Sequence, residues 1–415
     1  MTAPRASRPS NPDRRLAPRP LPIHLASAIT SWLSSRAALP ILKNASPGSN
    51  ELGERIRSLA AEIEAFGSDK VAAALDSEIV RRADLYVAGL ESYRRHPFRR
   101  RVGAPLVLWR AGTTKLLDYG CDAAGPAVLV VPSLINRYYV LDILPERSFL
   151  RHLGSRGLRP LVVDWGAPGK RERAYDLSDY ITGPLEAAFT AAVRIAGAPI
   201  GIIGYCMGGL LALALALRRQ PEIGGLALLA TPWNFHTGSA ERARLFACAA
   251  EHLLRSCAGH GTVPVEVIQS FFFTLDPFAA QRKFIRFAAL QPDSEDARSF
   301  VALEDWLNDG VPMSEGVARD CVCSWYRDNA PGCLLWRVGA TLVDPRLLRR
   351  PALVVVPGRD QIVPPISAEP LAAGFADVTA MRPPLGHVGM MSAARAPAML
   401  WNPITDWLRT RLRAG

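Results

Sequence analysis

The sequence is poor in cysteine, and this shortage excludes one class of protein. It has seven cysteines in 415 residues, and an odd number in a long chain that opens with no signal-peptide pattern argues against a disulfide framework. We therefore expect free thiols in a reducing cytoplasm. Cys321 and Cys323 are one residue apart, but no second cysteine or histidine pair lies at ligand spacing. We thus predict neither a metal site nor a bound cofactor.

Acidic residues are also scarce relative to basic ones. The chain has 38 Asp and Glu against 49 Lys and Arg, for a formal net charge of +11. A basic balance favours acidic partners, such as nucleic acid, an anionic membrane or a phosphate-bearing substrate. No nucleic-acid-binding motif accompanies the arginine clusters, so we expect no nucleic-acid partner. The first 22 residues hold five arginines and six prolines against one acid, which predicts a disordered basic tail.

Residues 197–217 form a long run without a charged residue. It is long enough to suggest a membrane span. Glycines at positions 204, 208 and 209 interrupt it, however, between a short β-branched run and a helix-forming run. Two short buried elements joined by a tight turn explain this stretch better than one spanning helix.

Strand and helix patterns alternate along most of the chain. After the predicted tail (residues 1–22), residues 23–104 show helical spacing of apolar positions. Buried strand patterns alternate with amphipathic helices over residues 105–234 and return over residues 346–415, which predicts a mostly parallel α/β sheet. Residues 235–345 lack buried strand patterns and contain aromatic-rich helical segments. We predict that they form a helical cap inserted into the α/β core.

One cysteine lies at a glycine-bracketed turn between a predicted strand and a predicted helix. The stretch IIGYCMGG (residues 202–209) has the G-x-S-x-G spacing of hydrolases that present a nucleophile at such a turn, with Cys206 in place of serine. Asp360 follows the strand pattern ALVVVPG, and His387 follows the last strand pattern. Nucleophile, acid and histidine occur in this order in the α/β-hydrolase fold. We predict that fold and a triad of Cys206, His387 and Asp360.

Each predicted site residue has a physical role. The N-terminus of a helix favours a thiolate at Cys206, His387 would accept the thiol proton, and Asp360 would orient the imidazole. An oxyanion needs two backbone N–H donors, which we assign to Met207 and to Leu134 in the loop PSLIN. A buried structural cysteine would explain the turn motif alone. It would not explain three such residues, each just past a buried strand.

The choice of cysteine bears on the reaction. A cysteine acyl-enzyme is a thioester, close in energy to an acyl-CoA thioester, so transfer from CoA to Cys206 would be nearly thermoneutral. The acyl group would stay activated for attack by a hydroxyl. This chemistry favours acyl transfer from a thioester to an alcohol, and it leaves thioester or ester hydrolysis open.

Several motifs together resemble one known family. They are INRYYVLDILPERSFLRHL, VVDWGAPG, LSDYI, GYCMGG, LEDWLNDG, RDQIVPP and GHVGM. With them the chain resembles the polyhydroxyalkanoate synthases, most closely the class III catalytic subunit. The resemblance implies an α/β-hydrolase core with a mobile cap and (R)-3-hydroxyacyl-CoA as substrate. It also implies Cys206 as acyl carrier, His387 as base and Asp360 as activator of the incoming 3-hydroxyl. A homodimer or a non-catalytic second subunit, and a polyester granule, are the implied partners.

Three functions remain open from the sequence. The leading hypothesis is a cytoplasmic, granule-associated acyltransferase that polymerises 3-hydroxyacyl-CoA. The second is a thioesterase or intracellular polyester depolymerase with the same triad, and the third is a non-catalytic granule-surface protein with a vestigial site. The apolar stretch over residues 21–42, with Trp32 near its middle, would dock on a granule or a second subunit, or pack against the rest of the chain.

Overall fold

The structure, a computed structural model, describes residues 15, 18–44, 51–120 and 125–413. The predicted basic tail (residues 1–22) therefore lies largely outside the described residues, as does Cys121. The chain divides into two compact units: Met1–Phe98 with Phe272–Asn308, and Arg99–Phe271 with Asp309–Gly415. We name them the helical unit and the sheet unit.

Helices make up much of both units. The α-helices are α1 (Leu21–Asn44), α2 (Glu51–Phe66), α3 (Ser68–Arg95), α4 (Phe149–Ser155), α5 (Leu177–Tyr180), α6 (Glu186–Ala196), α7 (Met207–Arg218), α8 (Ala240–Ser256), α9 (Val265–Phe273), α10 (Ala279–Ala288), α11 (Glu295–Asn308), α12 (Glu315–Arg319), α13 (Pro365–Gly374), α14 (Gly389–Ser392) and α15 (Asn402–Arg413). The π-helical segments are Ile181–Leu185, Asp320–Arg327 and Pro397–Trp401. Short 3₁₀ segments are Tyr138–Leu141, Glu172–Ala174, Gln220–Glu222 and Pro345–Leu347.

The helical unit is built on α3, α10 and α11. Its apolar centre holds Tyr86, Tyr93 and Phe284, each almost fully buried, together with Val301. Aromatic edges meet there, with the ring centroids of Tyr93 and Phe284 5.7 Å apart, a geometry that adds to the free energy gained by apolar burial. Arg15, which lies within the predicted tail, is buried and pairs with Asp305 of α11 at 2.7 Å.

The sheet unit contains an eight-stranded sheet. Its strands, in chain order, are β1 (Leu106–Ala111), β2 (Thr114–Asp118), β3 (Ala127–Val131), β4 (Arg159–Asp164), β5 (Ile200–Tyr205), β6 (Ile223–Leu229), β7 (Ala352–Val355) and β8 (Val378–Met381). Their spatial order is β1-β2-β4-β3-β5-β6-β7-β8. The β1–β2 and β2–β4 pairs are antiparallel and the others are parallel. The predicted α/β-hydrolase fold with a mostly parallel sheet is thereby confirmed.

Several of these strands are continuous apolar runs in the sequence because all of their residues are buried. Every residue of β3, β5 and β7 is buried, as expected for parallel strands that are covered by helices on both faces. The carboxyl ends of parallel strands meet at one edge of a sheet, and ligand sites form there. Cys206 follows β5, while Asp360 and His387 follow β7 and β8. The fold thus collects the three predicted site residues at one edge.

The region predicted as a cap contains helices and two short antiparallel strand pairs. Thr262–Val263 pairs with Met313–Ser314, and Arg337–Val338 pairs with Thr341–Leu342. Residues 272–308 group with the helical unit, and the remainder of the region groups with the sheet unit. None of the helices within the described residues is both long enough and apolar enough to cross a membrane.

Candidate active site

Cys206 occupies a strained turn between β5 and α7. Its φ of 56° and ψ of −129° lie where a non-glycine residue is rarely found, and the surrounding structure must hold it there. The Cys206 N–H donates to the Leu229 carbonyl at 2.8 Å, and the Gly209 N–H donates to the Cys206 carbonyl at 2.9 Å. These bonds anchor the turn to β6 on one side and to the first turn of α7 on the other.

The glycines of the turn motif are required by close contacts. A Cβ on Gly208 would lie 2.2 Å from the Val131 carbonyl oxygen, and one on Gly204 would lie 2.5 Å from the Gly209 Cα. No side chain fits at these separations. The motif therefore brings the start of α7 against the end of β3, and the loop that follows β3 lies beside the cysteine turn.

His387 and Asp360 form a buried pair. The His387 Nδ1–H donates to Asp360 Oδ2 at 2.7 Å, and both residues are less than a tenth exposed. Asp360 Oδ1 accepts from the Ile362 and Val363 N–H groups, each at 2.8 Å. Both carboxylate oxygens are thus engaged, one by the imidazole and one by backbone amides, and the ring orientation of His387 is fixed.

The charge state of His387 depends on Cys206. Burial lowers the pKa of His387, but the Cys206 charge, the hydrogen bonds with Asp360 and Cys206 and the Asp360 charge outweigh burial and raise this pKa to about 10. The imidazole ring is therefore positioned to take the thiol proton. The structure brings Cys206, His387 and Asp360 together; their catalytic roles stay predictions.

The two predicted oxyanion donors lie on either side of the cysteine turn. Met207 is the first residue of α7 and is buried, so its N–H belongs to the unpaired first turn of a helix. Leu134 is buried in the loop after β3, where the Ile135 N–H donates to Ser133 Oγ at 3.1 Å. The role of Met207 and Leu134 as donors to an oxyanion stays a prediction.

Further side chains around the site were missed from the sequence. Tyr205 donates its hydroxyl to the His387 carbonyl at 3.2 Å, and the two rings are 5.2 Å apart. Cys321, on the π-helical segment Asp320–Arg327, has its thiol pKa raised, first by burial and then by the charges of Asp320 and Cys206. The position of Tyr205 inside GYCMGG could have indicated that it lies near the site. For Cys321, the sequence offered no indication beyond the residue type.

Comparisons with known proteins agree with this fold. The family described as the alpha/beta hydrolase fold matches residues 126–249. Among solved structures, a soluble variant of monoglyceride lipase from Saccharomyces cerevisiae is 13% identical, covers 76% of this chain and 98% of that chain, and has a TM-score of 0.52. At this identity the likeness concerns the fold alone. The molecule is an α/β-hydrolase-fold protein with cysteine at the turn between β5 and α7.

Curated relatives are more specific than the fold, because their names state an activity. The "Poly(3-hydroxyalkanoate) polymerase subunit PhaC" of Haloferax mediterranei is 26% identical over 74% of this chain and 64% of that protein. The protein of the same name from Allochromatium vinosum is 26% identical over 70% of this chain and 83% of that protein. The chain thus spans just under two thirds of the length of the Haloferax relative. The chain is thus similar to poly(3-hydroxyalkanoate) polymerase subunits, the family that its motifs resemble.

Proposed function

We propose that this chain is an acyltransferase that polymerises (R)-3-hydroxyacyl-CoA through a thioester on Cys206. The observation that carries the proposal is a series of side-chain hydrogen bonds from Asp360 to His387 and from His387 to Cys206. Cys206 lies at a strained strand-to-helix turn. Its relatives' names, which describe poly(3-hydroxyalkanoate) polymerases, support the substrate class. The product would be a polyester, and granule association and a second subunit belong to the same proposal.

The first half-reaction loads the enzyme. His387 takes the Cys206 proton, and the thiolate sulfur attacks the thioester carbonyl carbon of the acyl-CoA. The C–S bond to CoA breaks, and CoA leaves as a thiolate that accepts the proton from His387. The backbone N–H groups of Met207 and Leu134 would stabilise the charge on the carbonyl oxygen during this step.

The second half-reaction transfers the acyl group. A hydroxyl oxygen attacks the acyl carbon on Cys206, its proton passes to His387, and the C–S bond to Cys206 breaks. Both Asp360 oxygens are already engaged, by His387 and by two backbone amides. We therefore assign Asp360 to orienting His387, rather than to the direct activation of the hydroxyl that the family resemblance implied.

A three-product assay tests the proposal. The enzyme is given (R)-3-hydroxybutyryl-CoA while released CoA, free 3-hydroxybutyrate and extractable polyester are measured. Polyester together with CoA supports the polymerase. Free acid in place of polyester overturns it in favour of a hydrolase with the same triad, and no CoA release overturns both.

Two variants, each with one cysteine replaced by alanine, test whether the measured activity depends on Cys206. Cys206→Ala should abolish CoA release and the acyl-enzyme detected by intact mass. Cys248 lies exposed on α8, so Cys248→Ala is the matched control and should keep full turnover. CoA release by Cys206→Ala at the wild-type rate would remove Cys206 from the reaction.

A further inference from the structure

Tyr205 contacts the histidine of the site through two separate groups. Its hydroxyl donates to the His387 carbonyl at 3.2 Å, and its ring lies 5.2 Å from the imidazole, with 34° between the ring planes. Tyr205 is the last residue of β5 and directly precedes Cys206. One side chain thus joins the strand that leads to the cysteine with the loop of the histidine, across 182 positions of the chain.

The backbone just before His387 is tied to the loop of the acid. The Arg359 N–H donates to the Leu385 carbonyl at 3.0 Å, and the His387 Nδ1–H donates to Asp360 Oδ2 at 2.7 Å. These bonds fix the direction of the imidazole and leave its Nε2 for the Cys206 thiol. They do not fix how closely Nε2 approaches the thiol, because that separation also depends on where the backbone of His387 lies.

The Tyr205 hydroxyl holds the His387 backbone from the side of the cysteine. The N–H groups of Met390 and Met391, on the helix α14 that follows, donate to other carbonyls. Within the part of the chain that the structure describes, the Tyr205 hydroxyl is therefore the one hydrogen-bond donor to the His387 carbonyl. A buried carbonyl without a donor is costly. Without the hydroxyl, we expect the histidine loop to move toward another donor.

The Tyr205 hydroxyl is suited to this task at any pH at which the site would work. Tyr205 is 4% exposed, and burial, followed by the charges of Cys206 and Asp360, raises its pKa well above the usual value. The phenol therefore keeps its proton and continues to donate whether or not Cys206 is ionised. Because the hydroxyl is engaged by a backbone carbonyl, it acts through His387 and not on a substrate.

We propose that Tyr205 is a positioning residue that holds the His387 imidazole at the separation from Cys206 at which the thiol proton transfers. The proton passes from Cys206 Sγ to His387 Nε2, and Tyr205 neither gains nor loses one. Nucleophile and base lie on different loops, and a small error in their separation lowers the rate of the step. The hydroxyl of the residue beside the nucleophile removes that freedom. The inference deepens the proposed function, on which only the loading part of its test rests.

Alkylation of Cys206 tests the role of Tyr205 without any acyl-CoA. Tyr205→Phe removes the hydroxyl and keeps the ring against His387. At pH 7 we expect iodoacetamide to modify Cys206 about 3- to 10-fold more slowly, the effect of one neutral hydrogen bond, as followed by mass spectrometry of the peptide. The difference should vanish above about pH 10, where hydroxide ionises a thiol without a base. A packing defect would not depend on pH in this way.

Single-turnover loading by (R)-3-hydroxybutyryl-CoA tests the same role in the reaction. In Tyr205→Phe the rate constant at saturating substrate should fall by about 3- to 10-fold. The half-saturating concentration should stay unchanged, since Tyr205 acts on His387. Loss of folded protein would instead reduce the fraction of enzyme that loads and leave the rate constant as it is.

Tyr119→Phe is the matched control. The Tyr119 hydroxyl donates to Asp142 Oδ2 at 3.0 Å, so its removal also costs one hydrogen bond within the sheet unit. Tyr119 lies beside the first residues of β4, where its N–H donates to the Pro160 carbonyl at 3.0 Å, whereas the site follows the carboxyl ends of the parallel strands. Tyr119→Phe should lower the free energy of unfolding and leave both rates at Cys206 unchanged.

A substitute donor at the same place should reverse the defect. Replacement of Tyr205 by 4-aminophenylalanine puts an amine where the hydroxyl was, and the amine can donate to the His387 carbonyl. We expect this variant to regain alkylation and loading rates close to those of the wild type. Tyr205→Phe and the amine variant differ in one polar group, so their comparison isolates the hydrogen bond from the packing of the ring.

The outcomes separate this inference from the proposed function. If the wild type loads no acyl-CoA while the alkylation rates behave as expected, the proposed function fails and the role of Tyr205 stands. Alkylation of Tyr205→Phe at the wild-type rate at pH 7 would overturn that role. So would a slowing that persists above about pH 10, that the amine does not reverse or that Tyr119→Phe shares.

Discussion

Cys206 combines a strained backbone with a side chain that ionises more readily than serine. Cys206→Ser keeps the size of the side chain and the φ of 56°, so the turn should fold as before. An alkoxide needs a much stronger base than a thiolate does, and His387 provides only an imidazole. We expect the serine variant to lose at least about 100-fold in CoA release, measured with 3-hydroxybutyryl-CoA. A serine variant that turns over at the wild-type rate would leave the presence of cysteine unexplained.

Substitution of Asp360 tests whether its charge supports the protonated form of His387. Asp360→Asn keeps the side-chain shape but removes the charge that helps to raise the pKa of His387. That pKa should fall, so less imidazolium stands beside Cys206 at neutral pH and the thiolate loses support. Removal of a hydrogen bond between charged groups predicts a 10- to 100-fold slower alkylation of Cys206 by iodoacetamide at pH 7.

The sign of the pH effect follows from the direction of the shift. In the wild type, His387 stays protonated as pH rises until it passes about 10, so its imidazolium should be lost only above that pH. In Asp360→Asn the pKa of His387 should be lower, so the imidazolium should be lost at a lower pH, as an NMR titration of the ring would show. Loading of Cys206 and transfer from it should decline together in this variant. Normal loading with failed transfer would instead assign Asp360 to the incoming hydroxyl.

At the scale of single elements, the start of α7 should tolerate added side-chain atoms poorly. A Cβ on Gly209 would lie 1.8 Å from Thr231 Oγ1 and 2.7 Å from its Cγ2, and both residues are buried. Gly209→Ala forces Thr231 or α7 to shift. Such overpacking costs about 1 to 3 kcal/mol of the free energy of unfolding, measured by denaturant titration.

Gly183 provides the control for that substitution. It is exposed in the π-helical segment Ile181–Leu185, and a Cβ there would meet nothing within 4 Å. Gly183→Ala should leave the free energy of unfolding unchanged or raise it slightly, since alanine restricts the unfolded chain. Equal stability of Gly209→Ala and Gly183→Ala would contradict the close packing of α7 on Thr231.

The elements that the sequence predicted well are those whose burial is uniform. Strands β3, β5 and β7 are apolar along their whole length, so the fold could be inferred. The triad stays a prediction that rests on the residues following the strand ends. The π-helical segments could not be inferred, because their extra residue per turn arises from packing rather than from composition. Two of these segments contain Pro184 and the pair Cys321 and Cys323, but neither feature indicates a π-helix in the sequence.

At the scale of the whole molecule, local patterns do not show which segments fold together. The sequence predicts one cap over residues 235–345, yet residues 272–308 group with the N-terminal helices. The reason is a set of long-range aromatic contacts. Phe284 of α10 meets Tyr86 and Tyr93 of α3, about 200 positions earlier in the chain. Each helix has an apolar face that needs a partner, but that face does not specify which one.

The position of α1 bears on both of its predicted roles. Ala28 is buried and Trp32 meets the Tyr86 ring edge-on at 6.3 Å, while Ser27 Oγ donates to the Pro277 carbonyl at 3.1 Å. One side of α1 therefore packs within the helical unit. Leu33 and Ile41 are 63% and 67% exposed, so another side keeps apolar surface that a granule or a partner subunit would cover.

Paired substitutions on α1 test these two sides separately. Trp32→Ala removes packing against Tyr86 and should destabilise the helical unit by about 1 to 3 kcal/mol, less than for a fully buried tryptophan. This lowers the thermal midpoint by several degrees, as calorimetry would show. Leu33→Ala should leave the midpoint unchanged and reduce binding to isolated polyester granules in a sedimentation assay. If Leu33→Ala binds as well as the wild type while Trp32→Ala loses stability, α1 serves only the packing of the helical unit.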